Sequence, residues 1–115
     1  MQLPKNAERL RIYTGENDHY KGRPVHEAIV EQARKSGFAG ATVLRGIAGF
    51  GANSRVHTSK ILRLSEDLPI ITEIVDEPSK IDDFLPLLDE MIGEGLVVRE
   101  QVQVLVYRHN DGKKK

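Results

Sequence analysis

Gly40-Ala41-Thr42-Val43-Leu44-Arg45-Gly46-Ile47-Ala48-Gly49-Phe50-Gly51 decides how this chain is read. Its first half alternates and is β-branched in part, the pattern of a strand. Its second half is a glycine-rich exit carrying a lone phenylalanine. Glycines let backbone N–H groups approach a ligand closely. Arg45 at the strand's end, and Arg55, His57 and Lys60 just beyond, add charge suited to phosphate or carboxylate. A conspicuous loop of this kind carries function more often than fold.

Reading outward from this segment gives the architecture. Upstream, Glu8 to Thr14 alternates, with Leu10 and Ile12 to one side and Arg9, Arg11 and Tyr13 to the other, a half-buried strand. A polar loop follows, from Gly15 to Arg23. Pro24 suits a first helical turn, and Val25, Ala28, Ile29, Gln32 and Ala33 share one helical face. Gly37 is placed to end that helix. The strand after it is expected over Ala41–Ala48. Downstream, Pro69 to Val75 alternates again. The connection between these strands is far longer than a hairpin loop, so it is functional, disordered or holds extra structure. Ile61, Leu62 and Leu64 suggest order in its second half.

Ser79 reads as an N-cap for a helix carrying Ile81, Phe84, Leu85, Leu88 and Ile92. Pro86 should kink that helix or restart it near Asp83. Gly93 and Gly95 end it, and a last strand is expected over Val97–Tyr107. The order β-α-β-β-α-β is the ferredoxin-like arrangement, an α+β fold. Two helices cover only one face of such a sheet. Leu44, Leu105, Tyr107 and either Ile70 or Ile71 are left on the other, which predicts oligomerisation.

Composition narrows the function. At 115 residues the chain is read as a single domain, its core over about residues 7–108, with residues 109–115 a disordered tail. Lys plus Arg and Asp plus Glu both number 17, so bulk charge gives no argument for nucleic acid or an anionic membrane. There is no cysteine, which excludes disulfides and thiolate chemistry and fits a cytoplasmic setting. No window approaches the length of a membrane span, and the N-terminus is not a signal peptide.

The chemistry-bearing residues leave alternatives. Gly46, Gly49 and Gly51 lack the spacing of a dinucleotide or Walker fingerprint and serve equally as a ligand cradle or as a bend. Arg45 needs a partner, either Glu73 on the next strand or an anionic ligand. Arg55, His57 and Lys60 are solvated loop cations or phosphate contacts. Tyr13 and Lys21 could stack on and neutralise a nucleotide. The four histidines have no metal-ligand spacing.

Lys21-Gly22-Arg23-Pro24 with His26-Glu27-Ala28-Ile29, the Gly40–Gly51 block, Ser65-Glu66-Asp67-Leu68-Pro69 and Leu85-Pro86-Leu87-Leu88-Asp89-Glu90-Met91 together resemble domain-of-unknown-function family 190. The resemblance covers about residues 7 to 108. It implies a PII-like homotrimer, similar to PII signalling proteins and the CutA group. It also implies a small anionic effector, an adenine nucleotide, bound in inter-subunit clefts. Arg45 to Gly51 would form the base of the effector-sensitive loop, and Ala52 to Leu64 the loop that addresses a regulated partner. The ligand set on this reading is Lys21, Arg45, Gly46, Gly49, Phe50, Gly51, Arg55 and His57. A membrane transporter or channel is the implied partner, since family members are often encoded near fluoride-exporter-type membrane proteins. No cofactor beyond the nucleotide, no metal and no catalytic residue is implied. The alternatives are a CutA-like metal-binding trimer, or an enzyme in the same cleft with His57 as its base.

Overall fold

A computed structural model describes residues 4–51 and 67–109. The first strand, β1 (Asn6–Gly15), buries Leu10 and Ile12 completely and leaves Arg9, Arg11 and Tyr13 half-buried. The loop after it is not wholly irregular. β2 (His19–Tyr20) and β3 (Arg23–Pro24) form a minimal hairpin around Lys21 and Gly22, whose φ values of 50° and 80° are both positive. That is the conformation a two-residue hairpin turn requires.

Helix α1 (Val25–Lys35) follows at once and buries Val25, Ala28, Ile29 and Ala33. Arg34 and Lys35 lie in its last turn, favourable to its dipole, and Gly37, at φ 79°, turns the chain out. The next strand, β4 (Thr42–Arg45), is shorter than the expected Ala41–Ala48. Its ladder partner begins at Pro69, next to the Arg45↔Ile70 pair, so pairing stops there. Gly46 N–H donates once more, to Pro69 O at 2.7 Å. Ile61, Leu62 and Leu64 lie outside the described residues, as does the tail from Asn110 on.

β5 (Pro69–Asp76) alternates as expected, with Ile70, Thr72, Ile74 and Asp76 buried. Asp76 ends the strand by tying elements together. Its Oδ2 accepts from Ala39 N–H at 2.8 Å and its Oδ1 from Glu77 N–H at 2.7 Å. Helix α2 (Pro78–Met91) starts one residue before the expected cap. Pro78 has the fixed φ that suits a first helical position, so Glu77 takes the cap and Ser79 falls inside. Ser79 Oγ donates back to Glu77 Oε1 at 3.1 Å. Pro86 neither ends nor restarts this helix. The buried stripe Ile81, Phe84, Leu88 and Met91 spans both sides of Pro86, and packing of an apolar face supplies most of a helix's stability.

The last strand, β6 (Leu96–Gln103), stops well short of Tyr107. Its ladder partner among the described residues, β1, begins at Asn6 opposite Gln103, so the ladder ends there. Val104 N–H donates to Lys5 O at 2.7 Å, and the Tyr107 hydroxyl reaches Ala39 O at 3.4 Å. Hence Val104 and Val106 do not extend the face that Val102 begins.

The four long strands form an antiparallel sheet in the order β4-β5-β1-β6. Both helices pack on one face, where Leu10, Ile12 and Ile74 meet Ile29, Phe84 and Leu88 in one core. This is the ferredoxin-like α+β arrangement. Register orders the opposite face into rows. Leu44, Ile71, Tyr13 and Leu96 stand side by side across all four strands. Ile70 is buried under the helices, so Ile71 is the isoleucine on the open face. One row away, Thr42, Glu73, Arg11 and Val98 stand side by side. Leu105, 83% exposed, and Tyr107 follow the end of β6. Among the described residues no helix is long and apolar enough to cross a membrane.

Candidate functional site

Where β1 ends, β5 begins and β6 begins, three loops leave a groove of about 740 Å³. One wall is residues 13–15 with Asp18. The second is residues 92–96, the connection from α2 to β6. The third is Gly49, Phe50 and Gly51 after β4, with Asp67 and Pro69 behind them.

Local chemistry builds each wall. Asp18 closes a tight turn: its Oδ2 accepts from Gly15 N–H at 2.8 Å, and its own N–H donates to Gly15 O at 3.1 Å. Asp67, just before β5, braces that turn, accepting from Asn17 N–H through Oδ1 at 2.9 Å, while Glu16 N–H donates to Leu68 O at 2.8 Å. On the second wall, Gly95 has φ 154°, and a Cβ there would stand 2.5 Å from Tyr13 O. Only glycine lets this loop lie against the end of β1. On the third wall, a Cβ on Gly46 would meet Pro69 Cγ at 2.6 Å. The chain is thereby drawn over Pro69 and carries Phe50 to the rim, where it is 71% exposed.

Gly49, Phe50 and Gly51 are thus brought together in the groove, with Tyr13 opposite. Gly46 packs behind them. Arg45 does not pair with Glu73: its Nη2 lies 2.5 Å from Glu16 Oε2. Register explains the difference. Arg45 pairs with Ile70, and Glu73, an odd number of residues further on, faces the other side of the sheet. Lys21 occupies the β2–β3 turn, its Nζ 5.3 Å from the Tyr20 ring centroid, and does not line the groove. Arg55 and His57 lie outside the described residues. Among the described residues, no three metal-ligating side chains gather.

Sequence reasoning missed Asp18, Asp67 and the wall at residues 92–96. In the sequence Gly93 and Gly95 read only as the end of a helix. Their pairing beside the start of a strand was the available signal, since close approach also selects glycine.

The family model described as DUF190, "Uncharacterized ACR, COG1993", matches residues 7–104. The chain belongs to the DUF190 family. The DUF190 match spans every element of the fold and all three groove walls. A UPF0166 protein of Aquifex aeolicus is 39% identical over 98 residues, covering 84% of this chain and 90% of its own length. A UPF0166 protein of Methanocaldococcus jannaschii is 39% identical over 93 residues, covering 80% and 85%. Among solved structures, CPII from Thiomonas intermedia K12 is a nitrogen regulatory PII-like protein bound to ADP, AMP and bicarbonate. It superposes with a TM-score of 0.56 at 16% identity, over 90% of this chain and 97% of its own. This DUF190 chain therefore has a PII-like fold.

Proposed function

We propose that this protein is a PII-like regulator that binds a small anionic effector, an adenine nucleotide, in the groove between the end of β1 and residues 49–51. The observation that carries the reading is the groove itself. It sets the exposed Phe50 ring and two glycines against Tyr13 in a space of nucleotide size. A PII-like fold supports it, since CPII holds ADP and AMP on that fold. The row Leu44, Ile71, Tyr13 and Leu96 on the open face supports a homotrimer, because an apolar stripe of that extent is stabilised by burial. Tyr13 and Leu96 belong to both that row and the groove, so effector and subunit contact would be coupled. The connection from Ala52 to Leu64, with Arg55 and His57, is assigned to a regulated partner, a membrane transporter or channel. Arg45 is the phosphate contact nearest the groove's third wall, released from Glu16 on binding. The role is binding and not catalysis.

Thermal-shift titration with AMP, ADP and ATP tests the reading, with light scattering for assembly. A nucleotide at 100 times its dissociation constant adds about 2.7 kcal/mol of stability. Arg45→Gln should then lower affinity about tenfold, or about 1.4 kcal/mol. No shift with any of the three would remove the reading.

A further inference from the structure

Among the described residues the groove's polar lining has a definite sign. Asp18, Asp67 and Glu94 line it, and among the described residues no lysine, arginine or histidine does. Asp18 and Asp67 each use one carboxylate oxygen on a loop N–H, through Asp18 Oδ2 and Asp67 Oδ1. An ionised carboxylate has about four acceptor positions, so each keeps capacity for a ligand's donors. Thr14 also lines the groove. It is 7% exposed, and its hydroxyl has no hydrogen-bond partner among the described residues. A buried hydroxyl without a partner is costly unless something completes it. Donor-hungry carboxylates beside an exposed aromatic ring suit a nucleoside, which offers ribose hydroxyls, an exocyclic amine and a flat face. They repel phosphate.

Resting on the nucleotide reading above, we infer that this part of the groove holds the nucleoside end of the ligand and turns its phosphates away. Asp18 and Asp67 accept hydrogen bonds from the sugar hydroxyls and the base amine. Phe50 covers one face of the base. The phosphate chain leaves the groove away from the carboxylates, so the nucleoside end sets recognition and phosphates beyond the first change affinity little.

The test is calorimetric titration of the full chain with adenosine, AMP, ADP and ATP, with EDTA present. Wild type, Asp67→Asn and Asp18→Asn are compared. Asparagine keeps a carbonyl acceptor for the loop N–H, and an unchanged unfolding midpoint verifies the fold. The two variants sit on different walls, so one remains informative where the other is unstable. The expected result is measurable adenosine binding, and a loss of about tenfold or more in each variant, equal for all four ligands. Tighter binding in the variants, growing with phosphate number, would place the carboxylates beside the phosphates and overturn the inference. So would unchanged affinity, or binding that appears only when magnesium replaces EDTA. Those outcomes leave nucleotide binding standing. Absence of binding by wild type to all four removes the nucleotide reading and the inference together.

Discussion

Arg11 and Glu73 face each other directly across the two inner strands, and one carboxylate oxygen takes both contacts. Arg11 Nη2 and Nε donate to Glu73 Oε2 at 2.6 and 2.8 Å. The hydrogen bond that Arg11 donates to Glu73 leads the effects that hold the guanidinium above its usual pKa. Two half-buried charges on the open face, beside the apolar row from Leu44 to Leu96, are tolerable because each neutralises the other.

Removing one partner leaves the other uncompensated. Glu73→Gln and Arg11→Gln should each lower the thermal midpoint, and the charge swap Arg11→Glu with Glu73→Arg should recover part of the loss. Thermal denaturation of the three variants beside wild type checks this. Equal midpoints for the single variants and wild type would mean that the pair is merely solvated.

The core prediction rests on Phe84, which is 1% exposed and meets Phe38 edge to face at a centroid distance of 5.0 Å. Phe84→Ala should cost about 3–5 kcal/mol, combining lost transfer energy with a residual cavity. Phe84→Leu should cost less. Denaturant midpoints measure both.

Two groove glycines should behave oppositely. A Cβ at Gly95 meets backbone, Tyr13 O, at 2.5 Å, whereas one at Gly51 meets nothing within 4 Å among the described residues. Gly95→Ala should therefore destabilise by more than about 1 kcal/mol. Gly51→Ala should leave the unfolding midpoint in place and lower ADP affinity. A midpoint loss in Gly51→Ala with affinity intact would make that segment a structural bend.

Much of this was legible in the sequence, and the gaps have physical causes. Period-two and helical patterns report burial, so β1, α1, β5 and α2 were placed within a residue or two. Strand ends depend on the partner strand, which local pattern does not contain. That is why β4 and β6 end early, at Arg45 and Gln103. The same limit offered Glu73 as one of two partners for Arg45. Alternation gave its face, but only register shows that Glu73 lies on the other side and Glu16 within reach. In the groove, Gly49, Phe50 and Gly51 stood out because they are adjacent in sequence. Asp18, Asp67 and Gly95 come from three separate segments, and only the sheet's topology joins them.

Acid should weaken the fold in a defined window. Glu31 is held below the usual carboxylate pKa, first by the hydrogen bond from Arg23, and Glu100 likewise by Arg9. The unfolded chain titrates both near pH 4.3 or so, above the folded values. The unfolded state thus binds more protons in that interval, and stability rises with pH across it. The contribution is complete above about pH 5 and is lost as pH falls through the lowered folded values. Midpoints measured from about pH 6 to pH 3 should fall more steeply in wild type than in Arg23→Gln. Parallel curves would show that the Arg23 pairing contributes nothing.

Calorimetric titration of the full chain with ADP, wild type beside Phe50→Ala, is the most direct test of the groove as an effector site. The account predicts saturable binding by wild type. It predicts affinity lower by about tenfold or more in Phe50→Ala, or about 1.4 kcal/mol, with the unfolding midpoint unchanged because Phe50 is 71% exposed. Equal ADP affinity in the two proteins, or no binding by folded wild type, would contradict it.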